Sequence, residues 1–153
     1  MKNSVVVDAS IALKWFIDEE DSEKAFDLLE EWKTQGTLML APVLIVYEIT
    51  NILYQNVRKG NILKDEAAKS LRRLLITGMK FDSGQYSTIG VRAIELAQQY
   101  TLKASYDAYY LALAEHEECE LWTADTRLWR AVQGKIDWVR NLGDHNIAAG
   151  EES

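Results

Sequence analysis

The sequence has few of the residues that support disulfide, zinc or histidine-based chemistry. Its 153 residues include one cysteine, Cys119, and two histidines, His116 and His145. A lone cysteine excludes an internal disulfide, and the lack of an export signal favours a reducing, cytoplasmic location. Both histidines lie in polar segments that we expect to be exposed, so we predict no zinc site. Neither stands where the base of a Ser–His–Asp hydrolase would be expected.

Long apolar runs and phosphate-binding glycine motifs are also missing. The apolar runs are too short to cross a membrane, and the longest is interrupted by Glu48. There is no G-x-x-x-x-G-K-[ST] loop and no G-x-G-x-x-G turn, which disfavours nucleoside triphosphate and dinucleotide chemistry. The length fits one domain, which we place at residues 1–143, followed by a flexible tail at 144–153.

Positive charge is scarce overall but concentrated in one segment. The net charge of -7 disfavours a protein that simply coats nucleic acid. Residues 58–80, however, contain seven bases and two acids, a net +5, so the remainder of the chain carries -12. This segment is either a solvated helical face or a positive rim beside an acidic site.

Strands alternate with helices along the chain. The patterns predict strands at Ser4–Ala9, Leu38–Leu40, Lys80–Asp82, Glu120–Ala124 and Asp137–Val139. They predict helices at Ser10–Ile17, Asp21–Thr34, Pro42–Val57, Asp65–Ile76, Thr88–Tyr100, Ser105–Glu117 and Asp125–Val132. This alternation is typical of an α/β fold, with a parallel sheet covered by helices on both faces. Ligands of such sheets bind beyond the carboxyl ends of the strands.

Four acids stand alone in apolar segments. Asp8 is the only charged residue between Ser4 and Leu13, and Glu48 and Asp107 are similarly isolated. Asp125 closes an apolar strand. Each could have a local explanation, such as a helix cap, but Glu48 lies in mid-helix and has the fewest.

The predicted fold gives these acids a common role. Asp8 and Asp125 end strands, Asp107 begins a helix, and Glu48 projects from the helix after the second strand. Clustered carboxylates require cations, and an all-oxygen ligand set suits Mg²⁺ or Mn²⁺. Such ions held by carboxylates usually act on phosphate esters. The residues alone therefore predict metal-dependent phosphate chemistry, without specifying RNA.

Four segments around these acids resemble the motifs of the PIN-domain family. They are Val5-Val6-Val7-Asp8-Ala9-Ser10, Tyr47-Glu48-Ile49-Thr50-Asn51-Ile52-Leu53, the segment from Ser105 to Ala114, and Leu121-Trp122-Thr123-Ala124-Asp125. They occur in the family's order, and the resemblance runs from about Val5 to Leu142. It implies a three-layer α/β/α fold with a central parallel sheet of four to five strands. The length and the Asp-Ala-Ser start look like VapC-type toxins of toxin–antitoxin pairs.

The resemblance also implies a function and its residues. Asp8, Glu48, Asp107 and Asp125 would bind Mg²⁺ or Mn²⁺ and catalyse hydrolysis of RNA. Ser10 and Thr123 would hold metal-bound water or orient an acid, and Asn51 would be a further supporting residue. The implied partners are an RNA substrate, an antitoxin protein and a second copy of the chain. As contacts to the RNA backbone we suggest Lys14, Arg58 and Arg127, each of which could equally be a solvated surface charge.

Two other functions stay open on the sequence alone. The chain could be a PIN-like binding or regulatory module with weak catalysis, acting through a protein partner. It could also be a small-molecule phosphatase, although the Asp-Ala-Ser start lacks the Asp-x-Asp of haloacid-dehalogenase-type enzymes. Metal-dependent turnover of RNA discriminates these readings.

Overall fold

A five-stranded parallel sheet forms the centre of the protein. The computed structural model describes residues 3–82 and 85–147. The strands are β1 (Ser4–Val7), β2 (Leu38–Pro42), β3 (Lys80–Asp82), β4 (Glu120–Thr123) and β5 (Val139–Asn141). They lie in the order β3-β2-β1-β4-β5, and every neighbouring pair is parallel.

Helices flank the sheet in the three-layer α/β/α arrangement that the sequence predicts, which confirms the fold class. The seven α-helices of the described residues are α1 (Ala9–Ala12), α2 (Ser22–Gln35), α3 (Leu44–Arg58), α4 (Lys64–Leu75), α5 (Tyr86–Gln99), α6 (Ser105–His116) and α7 (Thr126–Val132). Short 3₁₀ helices cover Leu13–Trp15 and Leu142–Asp144. No helix among the described residues is long and apolar enough to cross a membrane.

The central strand explains where the core lies. β1 has a strand on each side and helices on each face, so Val5, Val6 and Val7 are at most 2% exposed. Continuous runs of β-branched residues are typical of strands buried in this way. α6 also lies deep in the protein, and Tyr110, Leu111 and Leu113 on it are at most 1% exposed.

The strand order reverses at β1. From β1 the chain builds outward to β2 and β3, and later returns to add β4 and β5 on the other side. The carboxyl ends of β1 and β4 lie side by side at this reversal, and we call the surface that they share the crevice, because ligands bind there in doubly wound folds. Asp8 directly follows β1, and Asp125 lies two residues after β4.

Several predicted boundaries differ from the structure by a few residues, and two of them differ for a clear physical reason. The last strand was predicted at Asp137–Val139 but lies at Val139–Asn141, because β4 pairs Leu121 with Val139 and Thr123 with Asn141. It is an edge strand, and its exposed Arg140 pairs with Glu120 at 2.6 Å, so it lacks an apolar pattern. Pro42 ends β2 instead of starting a helix, which a proline can do at the end of a strand.

The predicted flexible tail begins inside the described structure. Asp144 closes the second 3₁₀ helix, and the His145 Nε2 lies 2.8 Å from Asp27 Oδ2 on α2. Residues 148–153 of that tail lie outside the described residues. The single domain at 1–143 remains a prediction.

Candidate active site

Asp8 is the most buried of the four acids. It follows the last residue of β1, caps α1, and is 4% exposed. Its Oδ2 accepts hydrogen bonds from the Ser10 hydroxyl and, at 3.0 Å, from the Thr123 hydroxyl. Burial raises the pKa of Asp8 from 3.8 to about 7, the Ser10 hydrogen bond opposes this shift, and the charges of Asp107 and Glu48 add to it.

Ser10 and Thr123 join the loops that follow β1 and β4. The Ser10 hydroxyl donates to Asp8 while its oxygen accepts from the backbone N–H of Ala124 at 2.9 Å. The Thr123 hydroxyl also donates to Asp8, and its oxygen accepts from the backbone N–H of Asp125 at 3.0 Å. Both hydroxyls are therefore satisfied as donors and acceptors, which fixes the two loops relative to each other.

Asp125 begins the helix after β4. As the N-cap of α7, its Oδ1 accepts from the backbone N–H groups of Arg127 at 2.9 Å and Leu128 at 3.4 Å. The Arg127 Nε lies 3.9 Å from the same oxygen, although the arginine side chain is 78% exposed. Arg127 therefore presents a cation to solvent at the rim of the crevice.

Asp107 lies in the first turn of α6, where the helix dipole favours an acid. Burial raises its pKa, and the charge of Asp125 raises it further, while Arg127 lowers it. Asp107 is thus close enough to both residues for their charges to matter, although it arises from a different element.

Glu48 lies in mid-helix, as the sequence predicts, and it has a partner that sequence reasoning missed. The buried hydroxyl of Tyr110 donates to Glu48 Oε1 at 2.7 Å. Burial raises the pKa of Glu48, the Tyr110 hydrogen bond opposes this, and Asp107 adds to the rise. Burial and the charges of Asp8 and Glu48 raise the pKa of Tyr110 well above its usual value, so it stays a neutral donor. The available signal was a tyrosine among apolar helix residues, because a buried tyrosine needs a partner for its hydroxyl.

The four acids form one electrostatic cluster. The charges of Glu48 and Asp107 raise the pKa of Asp8. The charge of Asp107 also raises the pKa of Glu48, and that of Asp125 raises the pKa of Asp107. Electrostatic repulsion therefore connects all four acids. This concentration of buried and half-buried carboxylates beside the exposed Arg127 is unfavourable unless protons or metal ions neutralise it. The donors are all oxygens, which fits a hard divalent ion better than zinc.

The other suggested residues lie at different distances from this cluster. Asn51 is exposed on α3, one turn after Glu48. Lys14 is engaged elsewhere, since its ammonium contacts Glu19 at 3.2 Å and donates to the carbonyl of Glu20 at 2.7 Å. Arg58 bonds Gln55 at the far end of α3, about 15 Å along the helix from Glu48. The geometry thus brings Arg127 to the acids, but neither Lys14 nor Arg58.

The bases of residues 58–80 are exposed, which agrees with a solvated face. All seven of them are exposed: Arg58, Lys59, Lys64, Lys69, Arg72, Arg73 and Lys80. Most belong to α4 and its flanking turns, and α4 packs against α3. Their charge contributes to the field around the molecule, whereas the arginine that shifts the pKa of a cluster acid is Arg127.

A second group of titratable side chains lies near the amino-terminal ends of the strands, opposite the acid cluster. Ligand atoms of Asp27, Glu31 and His145 lie within 4.8 Å of one another. Glu31 and His145 also line a cavity bordered by Ser4 and Glu120, the first residues of β1 and β4. The expectation that both histidines are exposed is therefore wrong for His145, which packs edge-on against Trp122 and pairs with Asp27. This group anchors the last described residues to α2.

Comparison with known proteins adds family information to this geometry. A family model described as PIN domain matches residues 5–135. Ribonuclease VapC3 from Pyrobaculum aerophilum is 33% identical over 124 residues, which cover 81% of this chain and 91% of that protein. A solved structure described as a toxin-antitoxin complex from Klebsiella pneumoniae contains a chain with a TM-score of 0.63 and 20% identity, covering 90% of this chain and 97% of that one. At that identity the likeness shows the fold.

Proposed function

Since the chain belongs to the PIN-domain family and resembles its VapC-type members, we propose that it is a divalent-metal-dependent endoribonuclease that hydrolyses RNA phosphodiesters. The match confirms the family suggested by the four sequence motifs. The relative from Pyrobaculum aerophilum is named a ribonuclease, which supports RNA as the substrate class here.

The observation that carries this proposal is the convergence of four carboxylates from four separate elements. Asp8 follows β1, Glu48 comes from α3, Asp107 from α6 and Asp125 caps α7. They meet at the edge where the strand order reverses, and each of the first three has its pKa raised by a neighbouring acid. A structural ion-pair network would place bases between them, so this arrangement favours a cation site.

We assign the four carboxylates as the ligands of Mg²⁺ or Mn²⁺. When bound, such an ion supplies a water of lowered pKa and Lewis-acid stabilisation for phosphodiester hydrolysis. Ser10 and Thr123 hold the Asp8 carboxylate in place through two hydroxyl donors. Tyr110 keeps Glu48 oriented and favours its ionised form.

Arg127 is the residue we assign to an RNA phosphate. Its exposed guanidinium lies beside Asp125 and can rotate to form a bidentate contact with phosphate oxygens. Placing it at the crevice rim puts positive charge where a polyanion must approach an otherwise acidic site. The same role for Lys14 and Arg58 is not supported by their positions.

We further propose that the chain is the toxin of a toxin–antitoxin pair and acts as a homodimer in the cytoplasm. The structural neighbour from Klebsiella pneumoniae comes from a toxin-antitoxin complex, which supports an antitoxin partner. A small gene beside this one that encodes a DNA-binding protein would support it as well. Co-expression and co-purification of that product would test the pair directly.

The catalytic proposal is tested by an RNA-cleavage assay. Purified protein is incubated with single-stranded RNA in Mg²⁺, in Mn²⁺ or in EDTA, alongside Asp8→Asn, Asp107→Asn and the control Glu30→Gln. Glu30 is an exposed acid on α2, so its substitution tests the general loss of one negative charge. We expect cleavage in both metals by wild type and Glu30→Gln, and none in EDTA or by the two aspartate variants. Equal cleavage by all four proteins would refute the assignment and favour a contaminating nuclease.

A further inference from the structure

An uncharged groove lined by four tyrosines lies next to the acid cluster. Its volume is about 300 Å³, the tyrosines are Tyr47, Tyr86, Tyr106 and Tyr109, and the other lining residues are Pro42, Val43 and Leu44. We call it the tyrosine groove. Tyr47 and Tyr106 directly precede Glu48 and Asp107 in sequence, so the two helices that carry these acids also form part of the groove wall.

Core packing does not account for three of these four rings. Tyr47 is 67% exposed, Tyr106 is 59% exposed and Tyr86 is 54% exposed, whereas Tyr110 one helical turn beyond Tyr106 is fully buried. Three large aromatic side chains from α3, α5 and α6 therefore share one solvent-facing surface.

The wall of the groove is held by a close contact between two helices. A Cβ at Gly90 of α5 would lie 2.8 Å from the hydroxyl oxygen of Tyr109 on α6. The absence of a side chain at Gly90 thus lets the Tyr109 ring lie against α5. This packing makes the groove a preformed surface, since the two helices that carry Tyr86, Tyr106 and Tyr109 are fixed against each other.

We propose that the tyrosine groove binds the bases of single-stranded RNA next to the phosphate that is cleaved, which rests on the ribonuclease function proposed above. Among the described residues its lining contains no charged side chain. The faces of nucleobases are neutral and stack on aromatic rings, and such stacking is largely independent of sequence.

The charge of the acid cluster determines how an RNA strand is oriented, and it favours a strand whose bases lie in the tyrosine groove. The neighbouring carboxylates repel phosphates, except where a metal ion or Arg127 attracts them. A strand that brings one phosphate to the acids therefore gains by turning the bases of the adjacent nucleotides toward Tyr47 and Tyr106. The bases of a duplex are paired and stacked, so a duplex cannot use this surface.

The test measures cleavage and binding by exposed-tyrosine variants. The substrate is a fluorescein-labelled RNA oligonucleotide of mixed sequence, used single-stranded and annealed to its complement. The variants are Tyr47→Ala, Tyr106→Ala, Tyr47→Phe and Tyr106→Phe. The matched control is Tyr54→Ala, because Tyr54 is 58% exposed on the same helix as Tyr47 but lines a different groove, between α3 and α4.

We expect each alanine variant to raise KM for the single strand by about 5- to 100-fold, with kcat little changed. The phenylalanine variants restore KM, because stacking requires the ring and not the hydroxyl. Tyr54→Ala matches wild type, and the annealed duplex is not cleaved. Binding of the single strand in EDTA, followed by fluorescence anisotropy, weakens by the same factors.

Different outcomes separate this inference from the proposed function. Metal-dependent cleavage with unchanged KM in both alanine variants would overturn the base-binding groove and leave the nuclease intact. Anisotropy that falls in the alanine variants, when no protein cleaves RNA, would support the groove and refute the enzyme. If the alanine variants instead change the sedimentation coefficient and leave RNA affinity intact, the groove is an interface between copies and the inference is wrong.

Discussion

Replacing Asp8 with asparagine is expected to stabilise the metal-free protein while removing its activity. Asp8 is 4% exposed, and its pKa rises from 3.8 to about 7 on folding. The folded state therefore binds more protons than the unfolded state between these values, so stability falls as the pH rises through that window. Above the folded-state pKa of Asp8, the full free-energy cost of burying its charged carboxylate destabilises the protein.

The size of the effect follows from the shift. A rise of about 3 pKa units corresponds to about 4 kcal/mol at 1.36 kcal/mol per unit, which is an upper limit for the gain at pH 8. Asparagine keeps an oxygen for the Ser10 and Thr123 hydroxyls and remains a good N-cap, so few contacts are lost. At about 2–4 °C per kcal/mol for a domain of this size, we expect the melting temperature to rise by several degrees.

Thermal unfolding in EDTA at pH 8 and pH 5 measures this directly. The difference between Asp8→Asn and wild type is expected to shrink to less than half of its pH 8 value at pH 5, where folded Asp8 is protonated. Asp18→Asn, at an exposed loop position, is the control and should melt like wild type at both pH values. Added Mg²⁺ should stabilise wild type but not Asp8→Asn. Unfolding of Asp8→Asn at or below the wild-type temperature at pH 8 would refute the burial argument.

Two further substitutions probe the side chains that position the acids. Tyr110→Phe removes the hydrogen-bond donor to Glu48, so the pKa of Glu48 rises and the acid limb of the pH–rate profile moves to higher pH. The lost hydrogen bond lowers the free energy of unfolding by about 1–2 kcal/mol. An unshifted pH–rate profile would show that ionisation of Glu48 does not control catalysis. Thr123→Val removes the donor to Asp8 and the acceptor for the Asp125 N–H, both at 3.0 Å. We expect the free energy of unfolding, measured by urea titration, to fall by about 2–3 kcal/mol. Thr123→Ser, which keeps the hydroxyl, is its control, and equal loss in both variants would implicate the methyl group instead.

The fold could be predicted because its signals are local. Three consecutive valines before Asp8 specify a buried strand, and helices with apolar faces separate it from the next strands. The edge strand β5 was misplaced by two residues, since Arg140 and Asn141 are polar and only pairing with β4 determines their register. Local patterns carry no information about which strand a polar edge segment will pair with.

The acids were predictable for the opposite reason, because they break the local pattern. A charged residue alone in an apolar helix, such as Glu48, conflicts with the physics of burial, and such conflicts concentrate at functional sites. The partners of the acids were predictable only in part. The family resemblance named Ser10 and Thr123, whereas Tyr110 fits the apolar surroundings of its helix in the sequence. Only the packing of α6 against α3 brings the Tyr110 hydroxyl to Glu48. Likewise, nothing in the sequence separates Arg127 from Lys14, which the fold directs to Glu19.

The hydrogen bonds that join the loops after β1 and β4 have a consequence for folding of the chain. Thr123 and Asp8 are 115 residues apart in sequence, so the bond between their side chains forms only when β4 has paired with β1. A partly folded chain without this pairing therefore contains no assembled acid cluster. Opening of the sheet between β1 and β4 would separate the acids even where the helices that carry them stay folded.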